Sequence, residues 1–366
     1  MIRRAAFLMG LLIGGAPAWG ASWPMMGGSP ARTHQSSDAV SAQNPKQLWE
    51  VRVGGNVVAG VVTDAASVYV AGQDGRLHAI EGRKGKRLWT YEAPGAISAT
   101  PAVSGNLVVA ATTEGSLVAV DVGTGRQRWL AKTGGKIFSA PLIVDGRIYV
   151  GSNDLYLYAF DLDTGKEAWR YQARDYKYGA LNAPPASDGE RIYIGAKNGM
   201  LHAVAAATGK PVWRVQLGSA LYGAPAVLDG RIYQGCLDRF VYALDARTGD
   251  LLWRQELDEW PQGTPVLYRD ALYIATRNGT LYGLNLADGH IVWEMPLEVE
   301  LRHSPNLGSN GIGVLVTAPG RLLAVDLERR RVAWERPLGG NGFAGPAILD
   351  GNVIAVTRDG RVSAWR

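Results

Sequence analysis

Side chains able to do nucleophilic, redox or metal chemistry are few in this chain, and they are scattered. In 366 residues there is one cysteine, Cys236, and five histidines, His34, His78, His202, His290 and His303. A single cysteine can form neither an intramolecular disulfide nor a paired redox centre. The sequence holds no His-Glu-x-x-His, no Gly-x-Ser-x-Gly and no P-loop, so zinc hydrolysis, acyl transfer and nucleotide binding have no motif to rest on. Lys and Arg never run five together and the net charge is only +5, which argues against a nucleic-acid partner. What remains is recognition chemistry. Arg174-Asp175-Tyr176-Lys177-Tyr178 interleaves charges with aromatics, and Asp258-Glu259-Trp260 and Glu298, Glu300, Arg302 and His303 repeat the theme. Tyr and Trp offer contact area at low entropy cost, and Arg can pair bidentately with carboxylates.

These residues must be held by something, and the frame is visible as a repeat. Tryptophans fall at 49, 89, 129, 169, 213, 253, 293 and 334, with gaps of 40, 40, 40, 44, 40, 40 and 41. Between them recurs Ala140-Pro141-Leu142-Ile143-Val144-Asp145-Gly146-Arg147-Ile148-Tyr149, then Leu157-Tyr158-Ala159-Phe160-Asp161, Thr164-Gly165 and Trp169. Each copy reads as four short strands, a to d: Asp-Gly turns a into b, a second Asp-Gly or Asn-Gly opens c, and Thr-Gly joins c to d. Forty-residue units of four antiparallel strands predict propeller blades. After Trp334 the chain supplies only a, b and c, and Gln47–Val51 reads as the missing d. The prediction is an all-β chain: one eight-bladed propeller over residues 44–366, its ring closed by the N-terminal strand.

Eight copies serve as their own control. The d-strand Trp recurs and is read as packing between blades. Cys236 fills a slot held elsewhere by Gly, Ala, Ser or Thr, so it reads as a small packed side chain. His78 and His202 occupy the slot of Tyr158, Tyr242 and Tyr282. Strand a opens with two small residues, as innermost backbones require, with Asn182 and His303 as larger exceptions. One position earlier stand Val58, Ser98, Phe138, Leu181, Tyr222, Gln262, Arg302 and Phe343, a non-recurring set expected to ring the channel mouth. From Trp to the Pro that starts strand a takes 12 residues in most units but 15 from Trp169 to Pro184. The extra length carries Arg174–Tyr178. Loop insertions on one face of a repeat array mark binding faces. The expected protein-binding residues are therefore Arg174, Asp175, Tyr176, Lys177, Tyr178, Tyr222, Trp260, Arg302, His303 and Phe343, on the d–a and b–c loops. No catalytic, cofactor or metal residue is expected.

The N-terminus reads as an export signal. Arg3 and Arg4 precede the apolar stretch Ala5–Ile13, and small residues follow to Ala21. Cleavage near residues 18–21 would remove residues 1–20, with two arginines and no acids, lowering the charge from +5 to +3. Residues 21–43 form a lead-in. No cysteine near the leader is available for acylation, so the mature product is expected in the periplasm, monomeric by itself and at membranes only through partners.

The repeat Asp-Gly-x-Leu-x-Ala-x-Asp-x-x-Thr-Gly-x-x-x-Trp and the stretch Trp23-Pro24-Met25-Met26-Gly27-Gly28 resemble the pyrroloquinoline-quinone-type propellers. With eight blades on a short exported chain, they are most similar to the BamB-like family. That resemblance implies a non-catalytic scaffold that binds the outer-membrane barrel-assembly machinery or its nascent substrates. It also implies a rival, a dehydrogenase using pyrroloquinoline quinone and Ca²⁺, whose relatives hold the cofactor over adjacent disulfide-bonded cysteines beside a catalytic Asp. A propeller binding a small ligand is the third reading.

Overall fold

Residues 23–173, 179–261 and 263–366 are described by the computed structural model. The expected leader, the segment Arg174–Tyr178 and Gln262 lie outside the described residues. Eight four-stranded antiparallel sheets follow one another along the chain. The first blade is Val62–Thr63, Ser67–Ala71, Arg76–Glu81 and Arg87–Glu92, and the next six repeat this order through Arg331–Pro337. Blade 8 takes strands a, b and c from Ala347–Leu349, Asn352–Val356 and Arg361–Trp365, and its outer strand from Gln47–Arg52. Trp49 pairs with Ala364 and Val51 with Val362. Lys46 and Arg366 exchange backbone hydrogen bonds. The ring therefore closes with the two ends of the chain in one sheet, as the missing d strand required.

The turns show why the repeat is written as it is. Asp145-Gly146, Asp229-Gly230 and Asp350-Gly351 all have positive φ at both residues, the geometry that matches hairpin twist. The Thr-Gly glycine has a second reason. A Cβ on Gly165 would sit 2.5 Å from the Trp129 ring, and one on Gly85 2.7 Å from Trp49. In six blades, from Trp49 to Trp253, the d-strand indole thus lies against the c–d turn of the next blade. Its Nε1 donates to a carbonyl there: Trp89 to Val122 (2.7 Å), Trp129 to Leu162 (2.9 Å), Trp253 to Leu286 (3.1 Å). For Trp334 the next c–d turn is interrupted by the termini, and Ser41 of the lead-in supplies the acceptor at 2.8 Å.

Every outer strand carries a bulge where it pairs with strand c, as between Ala79 and Ile80. The extra residue aims outward, which is how Leu88, Val212, Leu252 and Val292 come to be exposed beside a Trp that turns in. Bulges also twist an edge away from pairing with another chain.

Two details of the expected register are corrected. Leu181 is fully buried, and its amide donates to Ser152 O as Leu221 donates to Ala196 O. Leu181 therefore matches Ile97, Ile137 and Leu221, one place before the mouth slot, and Asn182 takes the mouth slot. The Pro slot of blade 4 is Pro185, not Pro184, because Ala186–Ser187 aligns with the start of Ala226–Leu228. The insertion is four residues, in agreement with the 44-residue Trp gap. The doublet Ala183-Pro184 obscured this, since either proline can open the strand.

Candidate functional site

The channel is closed from within by the lead-in. Innermost strands leave one edge unpaired, and in a ring of eight those edges all face the axis. Residues 23–38 cover them. Amides of Thr63, Val103, Ser187, Val227, Leu267 and Leu307 donate to the carbonyls of Trp23, Pro24, Pro30, Ala31, Thr33 and His34 at 2.7–3.3 Å. Asp38 accepts from Gly351 N of blade 8 at 3.1 Å. Gly27 and Gly28, with φ of +75° and +73°, make the tight turn that lets the segment double back inside the ring.

Arg32 is the hub. It is fully buried, and its guanidinium donates to Met26 O, Pro185 O (2.9 Å), Pro141 O (3.3 Å) and Ala140 O (3.5 Å). Thus it ties blades 3 and 4 to the lead-in. Burial pushes its pKa down to about 9, which still leaves it charged at neutral pH. Nothing in the sequence singled out this arginine. An Arg in a Gly- and Ser-rich stretch reads as solvated.

Above this plug lies an axial cavity of about 170 Å³. Its floor is Trp23, Gly27 and His34. Its walls are the innermost residues of blades 1, 2, 7 and 8, and Arg302 and Phe343 stand at the mouth. His303 is the one large side chain in a ring otherwise made of Ala59, Ala99, Ser139, Ala183, Gly223, Gly263 and Ala344. Both its ring nitrogens are sealed from solvent without a hydrogen-bond partner, although the residue as a whole keeps some exposure. Burial, reinforced by the fields of His34 and Arg302, lowers its pKa to about 4. Burial likewise lowers His34 to about 4.

The d–a and b–c loops share one face, as expected. Amides of Thr113, Asn153, Lys197, Leu237 and Arg277 donate to d–a loop carbonyls at 2.8–3.2 Å. On this face the structure pairs the expected aromatics with cations. Lys197 Nζ lies 5.9 Å from the Tyr222 ring centre, Arg277 5.5 Å from Trp260, and Arg302 and Arg358 lie 4.9 and 5.8 Å from Phe343. Tyr222 is 45% exposed, and Glu300 holds Arg302 at 3.2 Å. Of the expected set, Tyr222, Trp260, Arg302 and Phe343 fall on one arc of the mouth. His303 sits below them in the cavity. Sequence reasoning named the aromatics but not Arg277, Lys197 or Arg358 as their partners; the signal was that all three stand just before the turn into strand c, where no residue type recurs from blade to blade.

The other chemical residues are structural. Cys236 is buried, with Sγ 3.2 Å from Ser219 O, and desolvation raises its pKa to about 12, so it holds no thiolate. His78 donates or accepts at Thr90 Oγ1 (2.9 Å) in the slot where Tyr158 and Tyr242 bind Asp154 and Asp238. The donor set does not fit a pyrroloquinoline-quinone and calcium site. Among the described residues no Asp or Glu lines the axial cavity. No group of three His, Cys, Asp or Glu among the described residues could hold a metal ion. The cavity is close to the ~150 Å³ that encloses one benzene ring, too small for a three-ring tricarboxylate.

A family model described as outer membrane protein assembly factor BamB matches residues 96–181 and 174–366. Among solved structures, BamB from Moraxella catarrhalis is similar at 21% identity and a TM-score of 0.76, covering 88% of this chain and 100% of that one. A quinohemoprotein alcohol dehydrogenase from Comamonas testosteroni is similar at 16% identity and a TM-score of 0.82, covering 94% and 80%. A europium-containing methanol dehydrogenase is similar at 15% and 0.80, covering 94% and 89%. At such identities these likenesses establish the fold alone. No curated protein matches the chain.

Proposed function

The chain belongs to the family of outer membrane protein assembly factor BamB, and on that premise we propose that it is a non-catalytic periplasmic scaffold. It binds another protein through the d–a and b–c loop face, in the assembly of outer-membrane β-barrel proteins. The observation that carries this reading is the arc of cation–aromatic pairs at Tyr222, Trp260 and Phe343. A cation stacked on a ring is already oriented, so less side-chain freedom is lost when a partner docks. Tyr, Trp and Arg are also the residue types that dominate binding energy at interfaces. The inserted loop with Arg174–Tyr178 joins blades 3 and 4, next in the ring to the Tyr222 loop. The enzyme reading lacks a fitting donor set, and dehydrogenase likeness in fold says nothing of the site.

The test is an affinity measurement. Replacing Arg174, Tyr176 and Tyr178 together with Ala leaves the fold intact and costs on the order of 1–3 kcal/mol of partner affinity per anchor. Binding is read by co-purification from envelope extracts and then by titration with the identified partner. A folded triple variant with wild-type affinity removes this loop from the interface. Stoichiometric binding of pyrroloquinoline quinone with Ca²⁺, or dye-linked alcohol oxidation, would favour the dehydrogenase instead.

A further inference from the structure

The outer rim of blades 5 and 6 departs from the repeat in a way that blade packing does not explain. Two residues before the d-strand Trp, blades 8, 1, 2, 3 and 4 carry Gln47, Arg87, Gln127, Glu167 and Pro211, whereas blades 5 and 6 carry Leu251 and Ile291. With the bulge residues Leu252 and Val292 beside them, these aliphatic side chains stand 37–53% exposed. Blade 7 offers Val332 but only Ala333 at its bulge, so among the described residues blades 5 and 6 alone fill both positions with large aliphatic side chains. Charge changes sign at the same place. One residue after the Trp, blades 3, 4 and 5 carry Arg170, Arg214 and Arg254, and blades 6, 7 and 8 carry Glu294, Glu335 and Glu50. Three residues before the Trp, Asp250 is the one acid in a slot held by Lys or Arg in six blades and by His290 in blade 6. Asp250, Arg254, His290 and Glu294 are all exposed.

From this pattern we propose that the rim of blades 5 and 6 is a self-complementary interface that joins two copies of the chain. A twofold axis parallel to the ring axis sets blade 5 of one copy opposite blade 6 of the other. It also keeps every strand position at its own height, so like positions meet. Leu251 and Leu252 then face the partner's Ile291 and the partner's Val292. Arg254 faces the partner's Glu294, and Asp250 faces the partner's His290. Each match occurs twice, and an apolar centre is flanked by opposite charges, the usual anatomy of an interface. The charges also select this pair of blades. The same axis placed at blades 3 and 4, or 4 and 5, sets Arg against Arg, and at blades 6 and 7, or 7 and 8, it sets Glu against Glu. The ring is convex, so two copies touch over two blades each, a footprint in the class below about 1,200 Å² that serves weak association. The chain expected to be monomeric by itself thus becomes a dimer at high concentration. A closed twofold contact consumes the patch and stops at two copies. The patch lies toward the c–d turns, at the other end of the blades from the d–a and b–c loops, so it stands whether or not that loop face binds a protein.

Sedimentation equilibrium of the mature chain over a range of concentrations is the test. The unaltered chain follows a monomer–dimer equilibrium with a Kd on the order of 10–100 μM. Arg254→Glu sets Glu against Glu across the contact, and Glu294→Arg sets Arg against Arg. Each variant alone associates with itself about tenfold more weakly. Mixed in equal amounts, the two variants pair with each other about as tightly as unaltered copies do, because every Glu again faces an Arg. Both positions are exposed, so the variants keep the fold, which far-UV circular dichroism checks. The measurement on the unaltered chain needs no variant at all. A chain that stays monomeric at the highest concentration, or assembly that continues past two copies, would overturn the proposal. Single variants that associate like the unaltered chain, or a mixture no tighter than its components, would overturn it as well.

Discussion

Replacing Arg32 with Met keeps an unbranched side chain of similar length and removes every donor. In the folded protein the guanidinium serves four backbone carbonyls, those of Met26, Pro185, Pro141 and Ala140, from a fully buried position. A hydrogen bond to a charged donor contributes about 1.5–3 kcal/mol, and each carbonyl left buried without a partner costs about 1–3 kcal/mol. Against this stands the relief of a desolvated charge, several kcal/mol, since no carboxylate among the described residues pairs with Arg32. Two strong bonds and two long ones therefore leave a net loss of about 3–5 kcal/mol, a large share of a stability of about 5–15 kcal/mol. Urea unfolding followed by Trp fluorescence measures the loss. Hydrogen exchange at the amides of Ser187 and Val227 locates it, because these donate to Pro30 and Ala31, the two residues just before Arg32. Those amides exchange faster in the variant, while amides in the outer halves of the blades keep their protection. A midpoint within the equivalent of 1 kcal/mol of wild type, with Ser187 and Val227 unchanged, would show that Arg32 is not the hub.

Trp253→Ala removes an indole that is 8% exposed and packs 5.9 Å from the Tyr233 ring; burying ~200 Å² at ~25 cal/mol per Å², discounted for a compact unfolded chain, gives a loss of about 3–5 kcal/mol. Trp253→Phe costs only about 1 kcal/mol beyond trimming, because Leu286 O still accepts from Arg231 at 3.0 Å, and equal losses for the two variants would contradict the packing account. Burial holds His34, His78 and His303 at about 4 against an unfolded value near 6.5. Between those pH values only the unfolded chain takes up the protons, so stability is level above about pH 6.5 and falls toward pH 4, on the order of 1–3 kcal/mol per histidine. His78→Tyr, which restores the residue of the other blades, flattens part of this slope in urea titrations at successive pH values; a midpoint independent of pH over that range would exclude neutral buried rings.

Much of the fold was legible because repetition multiplies a weak local signal. One Trp or one Asp-Gly means little, but eight copies at one spacing identify the strand, its turn and the slot on each side. The closing strand was legible for the same reason, since a missing d at one end and a spare d at the other admit one ring. The loop face followed from strand order, which puts d–a and b–c turns at one end of every blade. The register at Pro184-Pro185 was not legible, because two prolines satisfy one slot and only the pairing of Ala186 with Tyr193 decides between them. Residues 23–38 lay beyond the repeat altogether. No copy exists with which to compare them, and their hydrogen bonds run to residues as much as 313 positions away, so Arg32 and His34 look solvated until the ring closes around them. His303 was visible as an exception in its slot. That it lines one cavity with His34 depends on blade 7 meeting the lead-in at the axis, a contact that curvature creates and no local pattern encodes.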